Sequence, residues 1–134
     1  MEPLLALRTA VRAALVNDPA VTALVDAARI RTGWVREGEG SAVILRDGSA
    51  DYLGYAAGGQ FLARAYLDLH VWADGADDAQ RIAGAVVRRL FDAVDVPGAG
   101  VDEWGRPAFA WIAGGDDEMH HGAGTVSAVL RWQA

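Results

Sequence analysis

The sequence predicts an α+β fold in which a mainly antiparallel sheet of about four to five strands packs against one long amphipathic helix, with a further helix at the N-terminus. Apolar and polar residues alternate along residues 63–73, which is the period of a strand with one buried face. An apolar stripe with helical spacing runs through residues 76–94. The remaining β-type segments occur in runs and are not interleaved with helices, which favours antiparallel pairing.

The N-terminal segment has the apolar spacing of a helix, whose buried face would carry Leu4, Leu7, Val11, Ala14 and Leu15. The run Asn17-Asp18-Pro19 is expected to end this helix. Asp18 can then cap a second, short helix, because Pro19 suits a first helical position where the missing N–H costs nothing.

Short runs of β-branched and other apolar residues predict strands at residues 30–35 and 42–46, and again at 108–113 and 125–132. Residues 48–59 contain four glycines and several polar residues, so they are expected to form a flexible connection. The chain between the helix at 76–94 and the strand that starts at residue 108 is expected to be a loop.

Composition places residues 1–134 in a single folded domain, since 52% of them are hydrophobic and 22% charged. The absence of cysteine excludes disulfides and thiolate catalysis. The net charge of −6 and the scattered arginines disfavour a sequence-independent grip on nucleic acid. No segment has the pattern of a signal peptide or approaches the roughly 20 apolar residues that span a bilayer, so we expect folding in the cytoplasm without membrane insertion.

No cofactor is expected from the glycine-rich segments. A phosphate-binding P-loop requires a lysine, and the chain contains none. Residues 54–59 do not stand between a predicted strand and a predicted helix, so they also fail the dinucleotide-binding pattern.

The richest group of potential metal ligands consists of Asp116, Asp117, Glu118, His120 and His121. Carboxylates and imidazoles together can bind a divalent cation. Adjacent histidines in an extended segment point to opposite sides, however, so they rarely share one ion. We therefore interpret these residues as a solvated or interface loop and assign no metal site.

His70 follows Asp68 by two residues on the same face of a predicted strand, so an acid–base pair is conceivable. A nucleophile is missing, because none of the serines, Ser41, Ser49 and Ser127, lies in a G-x-S-x-G elbow. No catalytic residue is assigned, and the protein is not expected to be an enzyme.

The polar face of the 63–73 strand is the predicted interaction surface. It carries two aromatic side chains and charges of both signs, more than a solvated face requires, in Arg64, Tyr66, Asp68, His70 and Trp72. Tryptophan is enriched at the buried centres of protein interfaces, so the last of these residues is the first candidate for an anchor.

The arrangement resembles the family of small tail-completion or tail-terminator proteins of long-tailed phages and gene-transfer particles. The likeness covers almost the whole chain. It is carried by the N-terminal helix with Asn17-Asp18-Pro19, by the strand AYLDLHVWA at residues 65–73, by VRRLF at residues 87–91 and by the strand GTVSAVLRW at residues 124–132.

The resemblance implies a structural, non-enzymatic role. Proteins of this kind form a ring, usually a hexamer, on the end of the tail tube, stop its polymerisation and join the tail to the head connector. DNA passes through the ring without specific binding, which a net negative protein suits because it repels phosphates. The resemblance thus implies a homo-oligomer that contacts tail-tube and connector proteins, located in the virion after assembly in the host cytoplasm.

Two alternatives remain open. The chain could be an adaptor or stopper of the head–tail connector in the same particle. It could also be a small metal-dependent enzyme that uses residues 116–121.

Overall fold

The computed structural model describes residues 1–33, 40–112 and 120–133. The elements, in chain order, are α1 (Pro3–Val16), α2 (Pro19–Thr22), β1 (Ile30–Thr32), β2 (Ala42–Ala56), β3 (Gln60–Ala73), α3 (Ala76–Arg89), β4 (Gly100–Gly105), β5 (Phe109–Ile112) and β6 (His120–Gln133). Short 3-10 turns at Ala27–Arg29 and Ala57–Gly59 precede β1 and β3.

The strands form one six-stranded sheet in the order β1-β2-β3-β6-β4, with β5 also pairing with β6. Only the short β1–β2 pairing is parallel, so the sheet is mixed and mainly antiparallel. The α+β class is as predicted, but the expected four to five strands were too few. The extra strand arises because β4 and β5 pair with different parts of one long strand, β6.

The helices pack on one face of the sheet, where a single apolar cluster joins them to the strands. α1 contributes Leu7, Val11 and Leu15, and α3 contributes Ile82 and Val86. The sheet supplies the alternating residues Ala63, Ala65, Leu67, Leu69, Val71 and Ala73 of β3. No polar or charged side chain is buried among the described residues, so the core is held by apolar burial.

Local sequence signals fix the starts of the N-terminal helices. The carboxylate of Glu2 accepts hydrogen bonds from the backbone N–H groups of Leu4 and Leu5. Asp18 does the same for Ala20 and Val21 at the start of α2, with Pro19 in its first turn. The predicted cap at Asp18 is therefore confirmed.

The long helix predicted at residues 76–94 ends earlier, at Arg89, and it has the same 14-residue length as α1. The prediction that this helix is the one long helix of the fold is therefore wrong. Side chains from the following segment donate hydrogen bonds to carbonyl groups at the C-terminal end of α3. Trp104 Nε1 donates to the carbonyl of Leu90 at 2.8 Å, and Arg106 Nε donates to the carbonyl of Phe91 at 2.8 Å. Of the later apolar residues, Leu90 and Val94 are buried without being helical, whereas Phe91 is exposed.

The expected flexible connection at residues 48–59 is wrong, because β2 continues to Ala56 and forms a long antiparallel hairpin with β3. Irregularities in register occur at residues 47–49 and 52–54. Gly48 lies against the partner strand so closely that a Cβ would be 2.7 Å from the carbonyl oxygen of Tyr66. The glycines thus allow bulges and a tight turn, where Gly58 and Gly59 have positive φ.

The other predicted strands differ at their ends. The strand expected at 30–35 spans Ile30–Thr32 in the described chain, and residues 34 and 35 lie outside the described residues. The strand expected at 125–132 is longer, His120–Gln133, and that at 108–113 is Phe109–Ile112. β4 occupies Gly100–Gly105, where a loop was expected.

Candidate functional site on the open face of the sheet

The face of the sheet opposite the helices, here called the open face, carries the residues singled out in the sequence. From Ala63 to Ala73, residues of β3 alternate strictly between buried and half-buried. The half-buried set is Arg64, Tyr66, Asp68, His70 and Trp72, so the predicted division of this strand into two faces is confirmed. Whether this face meets another protein stays a prediction.

One end of the open face is charged. Arg64 lies opposite Val129 of β6, which in turn lies opposite Glu103 of β4, so the three residues form a row across the sheet. Arg64 Nη2 donates to Glu103 Oε2 at 2.9 Å across that row. Arg131 Nε contacts both carboxylate oxygens of Asp102 at 3.2 Å. The side chains of both pairs are at least one-third exposed, so each pair contributes little to stability.

The middle of the open face holds Asp68. Its carboxylate does not pair with His70, the partner considered in the sequence analysis. Thr125 of β6 lies directly opposite, and its hydroxyl donates to Asp68 Oδ1 at 3.0 Å. No hydrogen bond joins Asp68 to His70 within the described chain; His70 contacts another imidazole instead. The acid–base pair conceived from their i, i+2 spacing is therefore not assembled.

The other end of the open face holds a cluster of three rings from β3 and β6, namely His70, Trp72 and His121, here called the histidine–tryptophan cluster. His70 Nδ1 lies 2.6 Å from His121 Nε2. The indole of Trp72 stacks on the His121 ring, with centroids 3.8 Å apart and an interplanar angle of 8°. The strands set this geometry, because His121 lies opposite Trp72 while His70 lies opposite the small Ala123.

Both imidazoles of the cluster are held in the neutral form. Burial, the neighbouring His70 and Arg46 together lower the pKa of His121 from 6.5 to about 4, and burial contributes most. Burial and Arg46 also lower the pKa of His70, opposed by Asp68. At neutral pH one ring nitrogen of the pair therefore donates its hydrogen and the other accepts it through a free lone pair.

The acidic–histidine group of the sequence is divided by the structure. Asp116, Asp117 and Glu118 lie outside the described residues. His120 pairs with Ala73 and His121 with Trp72, so the two adjacent histidines occupy opposite faces of β6, as predicted. In residues 1–33, 40–112 and 120–133, no three His, Asp or Glu side chains are grouped as metal ligands.

An exposed aromatic cluster on the helix-facing side of the β2–β3 hairpin was not predicted. Tyr55 packs on Phe61 with ring centroids 4.8 Å apart, and Phe61 stacks on Trp132 at 5.9 Å. Tyr52 meets Trp132 edge to face. Tyr52 and Tyr55 are 64% and 72% exposed. The only sequence signal was two tyrosines in a glycine-rich stretch. Because that stretch was expected to be a flexible connection, no aromatic cluster was predicted there.

The described helices include none that is long and apolar enough to cross a membrane.

On one face of this mixed-sheet α+β fold, aromatic side chains lie beside a charged rim, which is a composition found in protein interfaces. A family model for tail completion protein gp17 matches residues 9–131, and the chain belongs to this family. The family predicted from the sequence is thereby confirmed. Membership identifies the chain as a structural protein of a phage-type tail, at the tail or the head–tail joint of the virion.

Solved structures give the same fold. A chain in the structure described as the virion of a native gene transfer agent particle is 20% identical and superposes with a TM-score of 0.70. The match covers 93% of this chain and 94% of the other. No curated protein shows a significant sequence match.

Proposed function

We propose that this protein caps the tail tube as a ring, stops tube polymerisation and joins the tail to the head connector, without catalysis. The observation that carries the proposal is the tail-completion family match over residues 9–131. A fold shared over 93% of the chain with a component of a gene transfer agent virion supports it. The proposed partners are sister subunits in a hexameric ring, the tail tube protein and a head–tail connector protein.

We assign the open face as a contact surface for one of these partners, with Arg64, Tyr66, Asp68, His70 and Trp72 as its contact residues on β3. The histidine–tryptophan cluster offers an aromatic surface that is uncharged at neutral pH, because burial lowers the pKa of both histidines. Covering neutral rings costs less desolvation free energy than covering unpaired charges. The exposed ion pairs at the other end suit a solvated rim.

Substitution of Trp72 by glutamate tests both the proposed ring of subunits and the proposed contact surface on the open face. We expect Trp72→Glu to block ring formation on the tail tube while the isolated chain stays folded, because a carboxylate would be buried at the contact. Folding is checked by circular dichroism. Assembly is checked by electron microscopy of the chain mixed with its tail tube protein and by the length of tails in complemented particles.

Leu5→Glu is the matched control, because Leu5 is 51% exposed on α1, on the helix side of the sheet. It should introduce the same charge without affecting assembly. If the Trp72 variant forms normal tails and normal rings of subunits, the open face is not a contact surface for these partners. A labelled chain found beside the portal rather than at the tube end would favour an adaptor or stopper role instead.

A further inference from the structure

We propose that His70 and His121 form a binding site for one divalent transition-metal ion, such as Zn²⁺ or Ni²⁺, on the open face of the sheet. The two histidines are far apart in the sequence, with 50 residues between them, so no sequence pattern links them. The pairing of β3 with β6 brings His70 Nδ1 and His121 Nε2 to 2.6 Å.

The two nitrogens face each other almost end to end, since the ring centroids lie 4.9 Å apart and the nitrogens 2.6 Å apart. Their separation requires a hydrogen between them, and a metal ion can replace that hydrogen. Zinc–nitrogen bonds of about 2.0–2.1 Å in tetrahedral geometry place two ligand nitrogens about 3.3 Å apart, so the nitrogens need to separate by about 0.7 Å and the rings need to tilt until both lone pairs point at the ion. Side-chain rotation of half-buried residues can supply such a shift without moving the strands.

The surroundings hold the rings in place. Both histidines project from central strands, each paired on both sides. Trp72 lies flat on the ring of His121 at 3.8 Å, which restricts rotation of that ring, so the shift towards a bound ion falls mainly to His70. Supports of this kind orient metal-ligating imidazoles and raise the affinity of a site that has few ligands.

The donor atoms select the class of ion. Neutral imidazole nitrogens suit zinc, nickel and copper, whereas Mg²⁺ and Ca²⁺ prefer oxygen ligands. The positive charge of Arg46 near the pair opposes any cation and the negative charge of Asp68 partly offsets it, so binding depends on coordination rather than on net charge. A tetrahedral ion would keep about two positions for water or for a group of a partner protein.

Isothermal titration of the tag-free chain with Zn²⁺ tests the site, with Mg²⁺ as the control ion. We expect saturable binding of one Zn²⁺ per chain and no binding of Mg²⁺. His121→Phe, which keeps a ring on Trp72 but lacks a ligand nitrogen, and His70→Gln should each weaken Zn²⁺ binding by at least about tenfold.

His120→Gln is the matched control, since His120 lies next to His121 on the opposite face of the strand. It should bind Zn²⁺ as the unmodified chain does. Equal binding by all variants, or loss only in the His120 variant, would place the ion elsewhere and overturn the proposal, as would absence of binding.

A measurement on the unmodified chain covers the case in which a variant does not fold. Zn²⁺ should protect His70 and His121, but not His120, from acylation by diethyl pyrocarbonate, read by mass spectrometry of peptides. Equal modification of His70 and His121 with and without Zn²⁺ would contradict the proposed site. Binding by the isolated chain needs no assembly partner, so this outcome is separate from that of the proposed tail function.

Discussion

His121 makes the stability of the protein depend on pH. Its pKa in the folded chain is lowered from 6.5 to about 4 by burial, His70 and Arg46. In the unfolded chain it would take up a proton near 6.5, so between these values the unfolded state binds more protons than the folded state. The free energy of unfolding should therefore fall as the pH is lowered from about 6.5 towards about 4.

His121→Phe should weaken this dependence, because the phenyl ring preserves the stack on Trp72 and cannot be protonated. The measurement is chemical denaturation at neutral and acidic pH, with a chelator present to exclude metal binding. A variant that loses as much stability on acidification as the unmodified chain would contradict the assignment to His121.

Gly48 illustrates how a single residue permits the long hairpin. A Cβ at this position would lie 2.7 Å from the carbonyl oxygen of Tyr66 on the neighbouring strand. Gly48→Ala should lower the free energy of unfolding by about 1–3 kcal/mol, because backbone on both sides must shift. Urea denaturation measures the change.

Gly84→Ala is the control for Gly48→Ala. Gly84 lies within α3, and a Cβ there would meet no atom within 4 Å. Alanine should stabilise the helix by up to about 1 kcal/mol. If Gly48→Ala also had no cost, residues 48–59 would behave as the flexible connection that the sequence suggested.

At the level of elements, the end of α3 depends on a residue from a later strand. Trp104 of β4 donates its indole N–H to the carbonyl of Leu90, one residue beyond the helix. Trp104→Phe should cost about 1 kcal/mol of unfolding free energy, since it removes this hydrogen bond and leaves a partly buried carbonyl without its donor.

Trp111→Phe is the comparison for this effect, because Trp111 is 45% exposed on β5. The same substitution there should leave thermal stability nearly unchanged. Equal effects of the two substitutions would show that ring size, rather than the hydrogen bond, is responsible.

The elements that sequence patterns predicted best are those with an uninterrupted period. β3 and the start of α3 were located correctly because one alternates at every second residue and the other carries a continuous apolar stripe. The second half of β2 was missed because its bulges interrupt the alternation and its glycines have no side chain to contribute to the pattern. β4 was missed because two glycines and two adjacent acidic residues leave it only two apolar side chains, and because its register is irregular.

The histidine–tryptophan cluster could be predicted only in part. The placement of His70 and Trp72 on one face follows from the alternation of β3 alone. The contribution of His121 depends on the register of β3 against β6, and no local pattern encodes which residues of distant strands lie opposite each other.

At the scale of the whole molecule, charge governs the behaviour towards DNA. The chain has a net charge of −6, with 12 basic and 18 acidic residues. We expect no binding of duplex DNA even at about 50 mM salt, where counterion release favours association most. Fluorescence anisotropy with a labelled duplex measures this, and a complex that weakens steeply with added salt would contradict it.

The family was recognisable from the sequence because its likeness extends along the whole chain. The order of helices and strands and the hydrophobic type at each position sufficed, and the family match over residues 9–131 agrees. The partner surface stays a prediction, because a single chain encodes its own core strongly and its contacts with other chains only as side chains left on the surface.

The position of β6 in the sheet also bears on how a nascent chain matures. This strand lies between β3 and the pair β4 and β5, yet the ribosome makes it after all three. Until it emerges, its neighbours lack their common partner and the two rings from β3 lack His121. A polypeptide still in synthesis therefore cannot form the complete open face until β6 has left the ribosome.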